Sequence, residues 1–430
     1  MQIHAIIAIV YSVFLMVLIK EGVKGFNPAV FFTFFWALQI CFILFGWSNY
    51  LYFNYFGLFY ILLAVTIFDL GFILIPNRRT ESDRQIIKVY YSRKYSKVIF
   101  FSILILAVIG VFYNMVRNGF GLSSLFSLES FVQMSNENSI NRYSGDGASR
   151  TVLNYVFDIN GYACPLVGGL FYHYYQGKKR LWSLVSFFPS VFDGLIQGAK
   201  MGIITGVIMW GIGYILSCQL FGIKIKIGIK HVLGLAIGLF AFVVILFLSM
   251  MFRYGGVNED TFYVVTGKIT SYSLGHLPAF DIWLDGYHGD ITEYTFGART
   301  FNGITNPLGI LKRAGGIFEE PVAISPLGDS TNVYSMFRFF VEDFGIVGSL
   351  MYLFVMGCLC GIINHFFLRR KQVLLCATLL TMMYFFISWG FVSSIFAYAT
   401  YIALGFYIYF IFLFFFKLRR RRFIIRDERV

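Results

Sequence analysis

Six basic side chains stand out: Arg150, Lys200 and Arg253 at the ends of long apolar runs, Arg338 about six residues before another, and Arg299 and Arg313 in the long connection between. A charge at mid-bilayer depth costs on the order of 3 kcal/mol and tends to be retained where it serves a site. Arginine donates paired hydrogen bonds from a planar fork and stays ionised, so a set of arginines at a membrane edge suits a phosphate or diphosphate head group. Taken singly, each reads equally well as an interfacial side chain snorkelling toward lipid phosphates. As a set they point to substrate diphosphate binding. The acids Asp69, Asp158 and Asp193 lie within apolar runs, and His276, Asp281, Asp285, His288, Asp290 and Glu293 cluster in one long polar segment. Of these, Asp281, His276 and Asp193 are the candidate general bases. There is no Asp-x-Asp pair and no His/Cys spacing of a metal site. The chemistry is therefore expected to be metal-independent, with no cofactor.

The elements that must position these residues are membrane helices. Of 430 residues, 58% are hydrophobic and only 13% charged, about half the charge of an average soluble domain. Apolar runs long enough to span fall at about 3–19, 28–47, 51–75, 98–115, 151–175, 181–198, 202–221, 232–251, 344–366, 373–393 and 396–416. That predicts an all-α, polytopic integral membrane protein of about eleven transmembrane helices. The first twenty residues have no basic n-region or cleavage signal and read as a retained first span. With the N-terminus outside and the C-terminus inside, 25 of the 35 basic residues fall in the inner connections, while only five of the 22 acids do. The formal charge of +13 is thus a topology signal of the positive-inside kind rather than a nucleic-acid surface.

The chain reads as a single integral membrane domain over 1–430, with outer connections at 116–150 and 252–343 and a basic inner tail at 417–430. The second connection is too long for a linker; its segments 262–265 and 280–284 suit short helices lying on the membrane surface. The inner loops are short, and no phosphate loop of the GxxxxGK type occurs, which disfavours an ATP-driven pump. All six cysteines lie in apolar runs and read as small buried side chains. Gly234-x-x-x-Gly238 reads as a helix-packing motif.

Several short motifs bear a likeness to a known family. They are Gly198-Ala199-Lys200; Arg253-Tyr254-Gly255; Tyr294-Thr295-Phe296-Gly297 ahead of Arg299; and Asn332-Val333-Tyr334 running through Arg338 to Glu342-Asp343-Phe344-Gly345. Together with the overall plan, they make the chain resemble the O-antigen polymerases, or oligosaccharide repeat unit polymerases. Lys200 is a departure, a point charge where relatives often carry arginine. The resemblance implies a GT-C-like glycosyltransferase of the bacterial inner membrane, with its active site facing the periplasm, serving lipopolysaccharide or other polysaccharide biosynthesis. It would transfer the growing glycan from undecaprenyl diphosphate to the non-reducing-end sugar of a new undecaprenyl-diphosphate-linked repeat unit. Membrane lipid and a chain-length regulator protein are the expected partners, and nucleic acid is not. Arg253, Arg299 and Arg338, supported by Arg150, Lys200 and Arg313, would hold the diphosphate, with Tyr254, Tyr334 and Asp343 in supporting positions. The alternatives are an O-antigen ligase of the same architecture, or a lipid-linked oligosaccharide flippase or other secondary transporter. The absence of an internal repeat and the 92-residue outer connection count against a transporter.

Overall fold

The computed structural model describes residues 27–44, 50–76, 87–144, 151–175, 177–223, 229–256, 258–312, 321–326 and 328–420. The chain forms α1 (Pro28–Phe42) and α2 (Phe56–Ile73), then a strand β1 (Ile87–Tyr91) and the long helix α3 (Ser96–Arg117). A polar helix α4 (Leu128–Ser144) precedes α5 (Val152–Phe171), α6 (Phe188–Ile196), α7 (Lys200–Phe221) and α8 (Ile229–Arg253). Next come α9 (Glu259–Leu274), α10 (His276–Asp285), the one-turn α11 (Asn302–Thr305) and a minimal ribbon of β2 (Val322–Ala323) and β3 (Ser330–Thr331). Three apolar helices follow, α12 (Ser335–Leu368), α13 (Val373–Trp389) and α14 (Ala399–Phe415), and the last runs directly into β4 (Phe416–Arg420).

Local chemistry sets many of the helix ends. Asn27 caps α1, its Oδ1 accepting from Val30 N at 3.0 Å, and Pro28 occupies a first-turn position where no N–H is needed. Thr151 and Asn154 close a reciprocal capping box at the start of α5. Gly222, at φ +67°, ends α7 in the left-handed conformation.

The fold is that of a helical membrane protein. Among the described residues, Phe56–Ile73, Ser96–Arg117, Lys200–Phe221, Ala236–Arg253 and Ser335–Leu368 are long and apolar enough to cross a bilayer, and α1, α13 and α14 are shorter apolar helices. The first expected span, 3–19, lies outside the described residues. The sixth, expected as one helix over 181–198, is instead a 3-10 run, Gly177–Phe187, joined to the nine-residue α6. Pro189 in the first turn of α6 accounts for the break, and Ser183 and Ser186 press against Gly168 of α5 so closely that no Cβ would fit there. The connection expected over 116–150 contains α4, whose polar sequence hid it. Segment 280–284 is helical, as α10, but Phe280, Asp281 and Leu284 are buried rather than spread on a surface. Gly234 and Gly238 do not mark a close crossing among the described residues, since nothing lies within 4 Å of a Cβ at either.

Within the expected single membrane domain, two compact units separate. The first comprises Met1–Ile86, Lys268–Gly405 and Arg422–Val430; the second, Ile87–Gly267 and Phe406–Arg421. In the first unit α2 runs along α12, with Gly71 against the backbone of Phe354 and Gly357 against that of Phe68. In the second, α5 runs along α7, with Gly169 against Trp210 and Gly213 against Leu166. Small residues at these crossings let the backbones meet, which is how membrane helices gain packing without a hydrophobic driving force.

Candidate functional site

In the first unit, two of the motifs dock onto each other. The carboxylate of Asp343 organises the turn carrying Arg299: it accepts from Arg299 N at 3.0 Å and Thr300 N at 2.7 Å, and the Thr295 hydroxyl donates to it as well. Phe296 N also donates to the Asp343 carbonyl at 3.0 Å. α12 is broken at Gly345 (φ +70°, ψ 178°), where the hydroxyl of Tyr294 fills the space a Cβ would occupy. The 23 residues beyond the break rise about 34 Å at 1.5 Å each, matching a bilayer core. The segment before it, 335–344, precedes this helix of bilayer length.

That segment carries the charges. Arg338 donates from Nε to Glu342 Oε1 at 2.8 Å, and Arg299 Nη1 lies 3.3 Å from Glu342 Oε2 as an ion pair. The guanidinium of Arg338 is 4.2 Å from the Tyr334 ring centroid and 4.8 Å from that of Trp283, so it is stacked as well as paired. Arg338 and Glu342 are 15% and 14% exposed, whereas Arg299 is 42% exposed and open to a ligand. Beside the break lies an open cleft of about 350 Å³, lined on one side by Tyr287, His288 and Tyr294 and on the other by Phe344, Ile346 and Val347. One wall offers hydrogen-bonding groups and aromatic faces; the other is apolar.

Two of the candidate bases are tied to other tasks. Asp281 is buried, and its carboxylate accepts from Asn54 N, Tyr55 N and Gly57 N at 2.6, 2.9 and 2.5 Å. Those are amides at the start of α2, so Asp281 acts as a remote N-cap. Burial pushes its pKa above the usual carboxylate range, while the three amides pull it back. His276 is buried between the rings of Trp36 and Phe391, and its Nε2 has no hydrogen-bond partner among the described residues. Desolvation lowers its pKa to about 3. It is a neutral core imidazole, far too weak a base at neutral pH. Of the acids and histidines between His276 and Glu293, His288 lines the cleft.

In the second unit the other two motifs meet around α4. Four successive carbonyls at the end of α6 and just beyond it accept from side chains, and the first two, Gly194 O and Leu195 O, also accept from Ala199 N at 2.8 Å and Gly198 N at 3.3 Å. Ser249 Oγ donates to Gly194 O at 3.1 Å, Ser135 Oγ to Leu195 O at 2.8 Å, Asn138 Nδ2 to Ile196 O at 3.1 Å, and Arg142 to Gln197 O. Asn136 Nδ2 then donates to Arg253 O at 2.7 Å. Gly198 adopts φ +56°, and a Cβ there would lie 3.2 Å from both Arg253 Cβ and Ser135 O. The Gly198–Lys200 turn and Arg253-Tyr254-Gly255 are thus held side by side, with the Arg253 guanidinium 5.9 Å from the Tyr254 ring centroid. Lys200 opens α7, and Asp193 lies in the last turn of α6, both half-buried.

Of the six basic candidates, then, Arg299 and Arg338 are brought together in one unit, and Lys200 and Arg253 belong to the other. Arg150 and Arg313 lie outside the described residues. Sequence reasoning missed Glu342 as the bridge, Trp283 as a ring stacked on Arg338, Tyr287 as a wall of the cleft, and Ser135, Asn136 and Asn138 as the frame of the second cluster. The spacing of Arg338 and Glu342, four apart on a helix, was the one signal available for any of them. Compared with protein-family models, with curated proteins and with solved structures, the chain matches none.

Proposed function

We propose that this chain is an integral-membrane glycosyltransferase that polymerises lipid-linked oligosaccharide repeat units at the outer face of a bacterial inner membrane. The observation that carries this reading is the Arg299–Glu342–Arg338 cluster at the break of α12, opening beside a cleft with one polar, aromatic wall and one apolar wall. A polyisoprenyl diphosphate sugar has matching parts: an apolar tail, a dianionic centre and a carbohydrate.

In this scheme the diphosphate of the donor binds Arg299 and Arg338. Glu342 holds the two guanidinium groups in place before substrate arrives. The acceptor hydroxyl attacks the anomeric carbon of the donor sugar, the bond from that carbon to the diphosphate oxygen breaks, and undecaprenyl diphosphate leaves. Negative charge grows on the departing oxygen, and paired arginines in a partly dehydrated site stabilise it. His288 takes the acceptor proton. Polymerisation needs two lipid-linked substrates, and the Lys200–Arg253 cluster of the second unit is suited to the other diphosphate.

The test is purified protein supplied with undecaprenyl-diphosphate-linked repeat units and read as a ladder on a gel. Wild type is expected to make a ladder, Arg338→Ala and Arg299→Ala little or none. His288→Gln is expected to retain substrate binding but turn over slowly. Full ladders from both arginine variants would overturn the proposed site.

A further inference from the structure

β1 and β4 form an antiparallel ribbon in the second unit, with Ile87 opposite Arg420, Lys88 opposite Arg419, Val89 opposite Leu418, Tyr90 opposite Lys417 and Tyr91 opposite Phe416. Alternation divides it into two faces. One is docked: Val89 and Phe416 are buried, and Tyr91 packs against Phe171, Phe221 and Phe415 while its hydroxyl donates to Leu170 O at 2.7 Å. The other carries Lys88, Tyr90, Lys417 and Arg419, all four exposed.

That outward face has an arrangement a folded ribbon does not favour by itself. Lys88 and Arg419 lie directly opposite one another, and like charges in facing positions destabilise a strand pair. No acid occurs in 87–97 or 416–420, and none of these cations forms an ion pair among the described residues. Arg93, Lys94 and Lys97 add three more exposed cations at once. Aromatic rings sit among them, with Arg419 5.9 Å from the Tyr90 centroid and Lys94 5.1 Å from that of Tyr95.

The depth of this face is set by covalent continuity and two hydrogen bonds. α3 begins at Ser96 and α14 ends at Phe415. Phe415 O accepts from Ser92 N at 2.9 Å and from Ser96 Oγ at 2.8 Å. The ribbon is thereby pinned where two apolar helices leave the bilayer, at the level of lipid head groups.

We propose that the β1–β4 ribbon is a binding site for anionic phospholipid, whose phosphate sits between Lys88 and Arg419 and against Lys417, and that the lipid completes the fold of this end of the molecule. Lipid phosphate rather than free phosphate is favoured by the depth of the face and by the tyrosines, which suit the headgroup layer.

Full-length protein in nanodiscs of phosphatidylcholine alone, and of phosphatidylcholine with phosphatidylglycerol, tests this by melting temperature and by native mass spectrometry of retained lipid. Wild type is expected to melt higher with phosphatidylglycerol and to keep that lipid in the gas phase. Lys88→Glu replaces a repulsive facing pair by an attractive one. It is expected to melt at or above wild type in phosphatidylcholine, yet to gain little from phosphatidylglycerol and to retain roughly fivefold less of it or lower still. Lys417→Gln, which leaves the facing pair intact, should show a smaller loss of retained lipid. Equal gains in wild type and Lys88→Glu would overturn the proposal, as would a Lys88→Glu protein that melts below wild type in phosphatidylcholine. So would inorganic phosphate in phosphatidylcholine discs raising the melting temperature as much as phosphatidylglycerol does, since the site would then be one for the free anion.

Discussion

Arg338 is restrained on three sides, by the Glu342 carboxylate and by the faces of Trp283 and Tyr334. A guanidinium fixed this way loses little freedom when an anion arrives, and Arg→Lys is not conservative where both fork and stacking are used. We predict that Arg338→Ala lowers turnover roughly 10- to 100-fold, the equivalent of a charge-assisted interaction of about 1.5–3 kcal/mol. Arg338→Lys should recover only part of it in the ladder assay. Glu342→Ala should act on stability too, because it removes the carboxylate that part-buried Arg338 and Arg299 share; a melting temperature lowered by an amount equivalent to about 2 kcal/mol is expected. His276 gives a pH signature. Its pKa in the fold, about 3, lies below the ordinary 6.5, so between those values the unfolded chain takes up a proton that the native chain refuses. Native stability is intact above about pH 6.5 and falls as the pH drops toward 3, by on the order of 2 kcal/mol at about pH 5. His276→Phe should remove that component of the acid sensitivity while leaving the ladder intact, as measured by melting across pH.

At the scale of elements, the break in α12 decides the shape of the site. Gly345→Ala meets both a left-handed backbone and the Tyr294 hydroxyl. It should cost roughly 3 kcal/mol in melting experiments and misplace Arg338 and Glu342 together. Asp281→Asn is expected to loosen the start of α2 by exchanging an acceptor of three amides for a poorer one, lowering the melting temperature with KM and kcat of the folded fraction unchanged. The helices were readable because apolar runs of bilayer length have few other interpretations: α1, α2, α3, α5, α7, α8, α13 and α14 lie close to where hydropathy puts them. What escaped depended on partners distant in sequence. The β1–β4 ribbon joins residues more than 300 apart, α4 is polar because it serves as a frame of hydrogen-bond donors, and the 177–196 segment departs from a plain helix at its contact with α5. Asp281 looked like a base for the same reason: its three partners are amides of another element, invisible in a single sequence. The two arginines that do converge were visible as charges at membrane edges, but their shared carboxylate was not.

For the whole molecule, the N-out, C-in arrangement expected from the sequence, which would put 25 of the 35 basic residues on one side, makes a prediction independent of any chemistry. Single cysteines introduced at exposed His288 and at exposed Lys94 should react from opposite sides of the membrane, the first with an impermeant maleimide added to the periplasmic side and the second only after permeabilisation. Labelling of both from one side would refute the N-out, C-in arrangement. The division into two units, each with its own basic cluster framed by docked motifs, fits a reaction that joins two lipid-linked substrates. The most direct test of that account is the reconstituted reaction with undecaprenyl-diphosphate-linked repeat units. A ladder from wild type that Arg299→Ala and Arg338→Ala each reduce at least about tenfold at matched times is the predicted result; folded wild-type protein that makes no ladder, or variants whose ladders match it, would contradict the account.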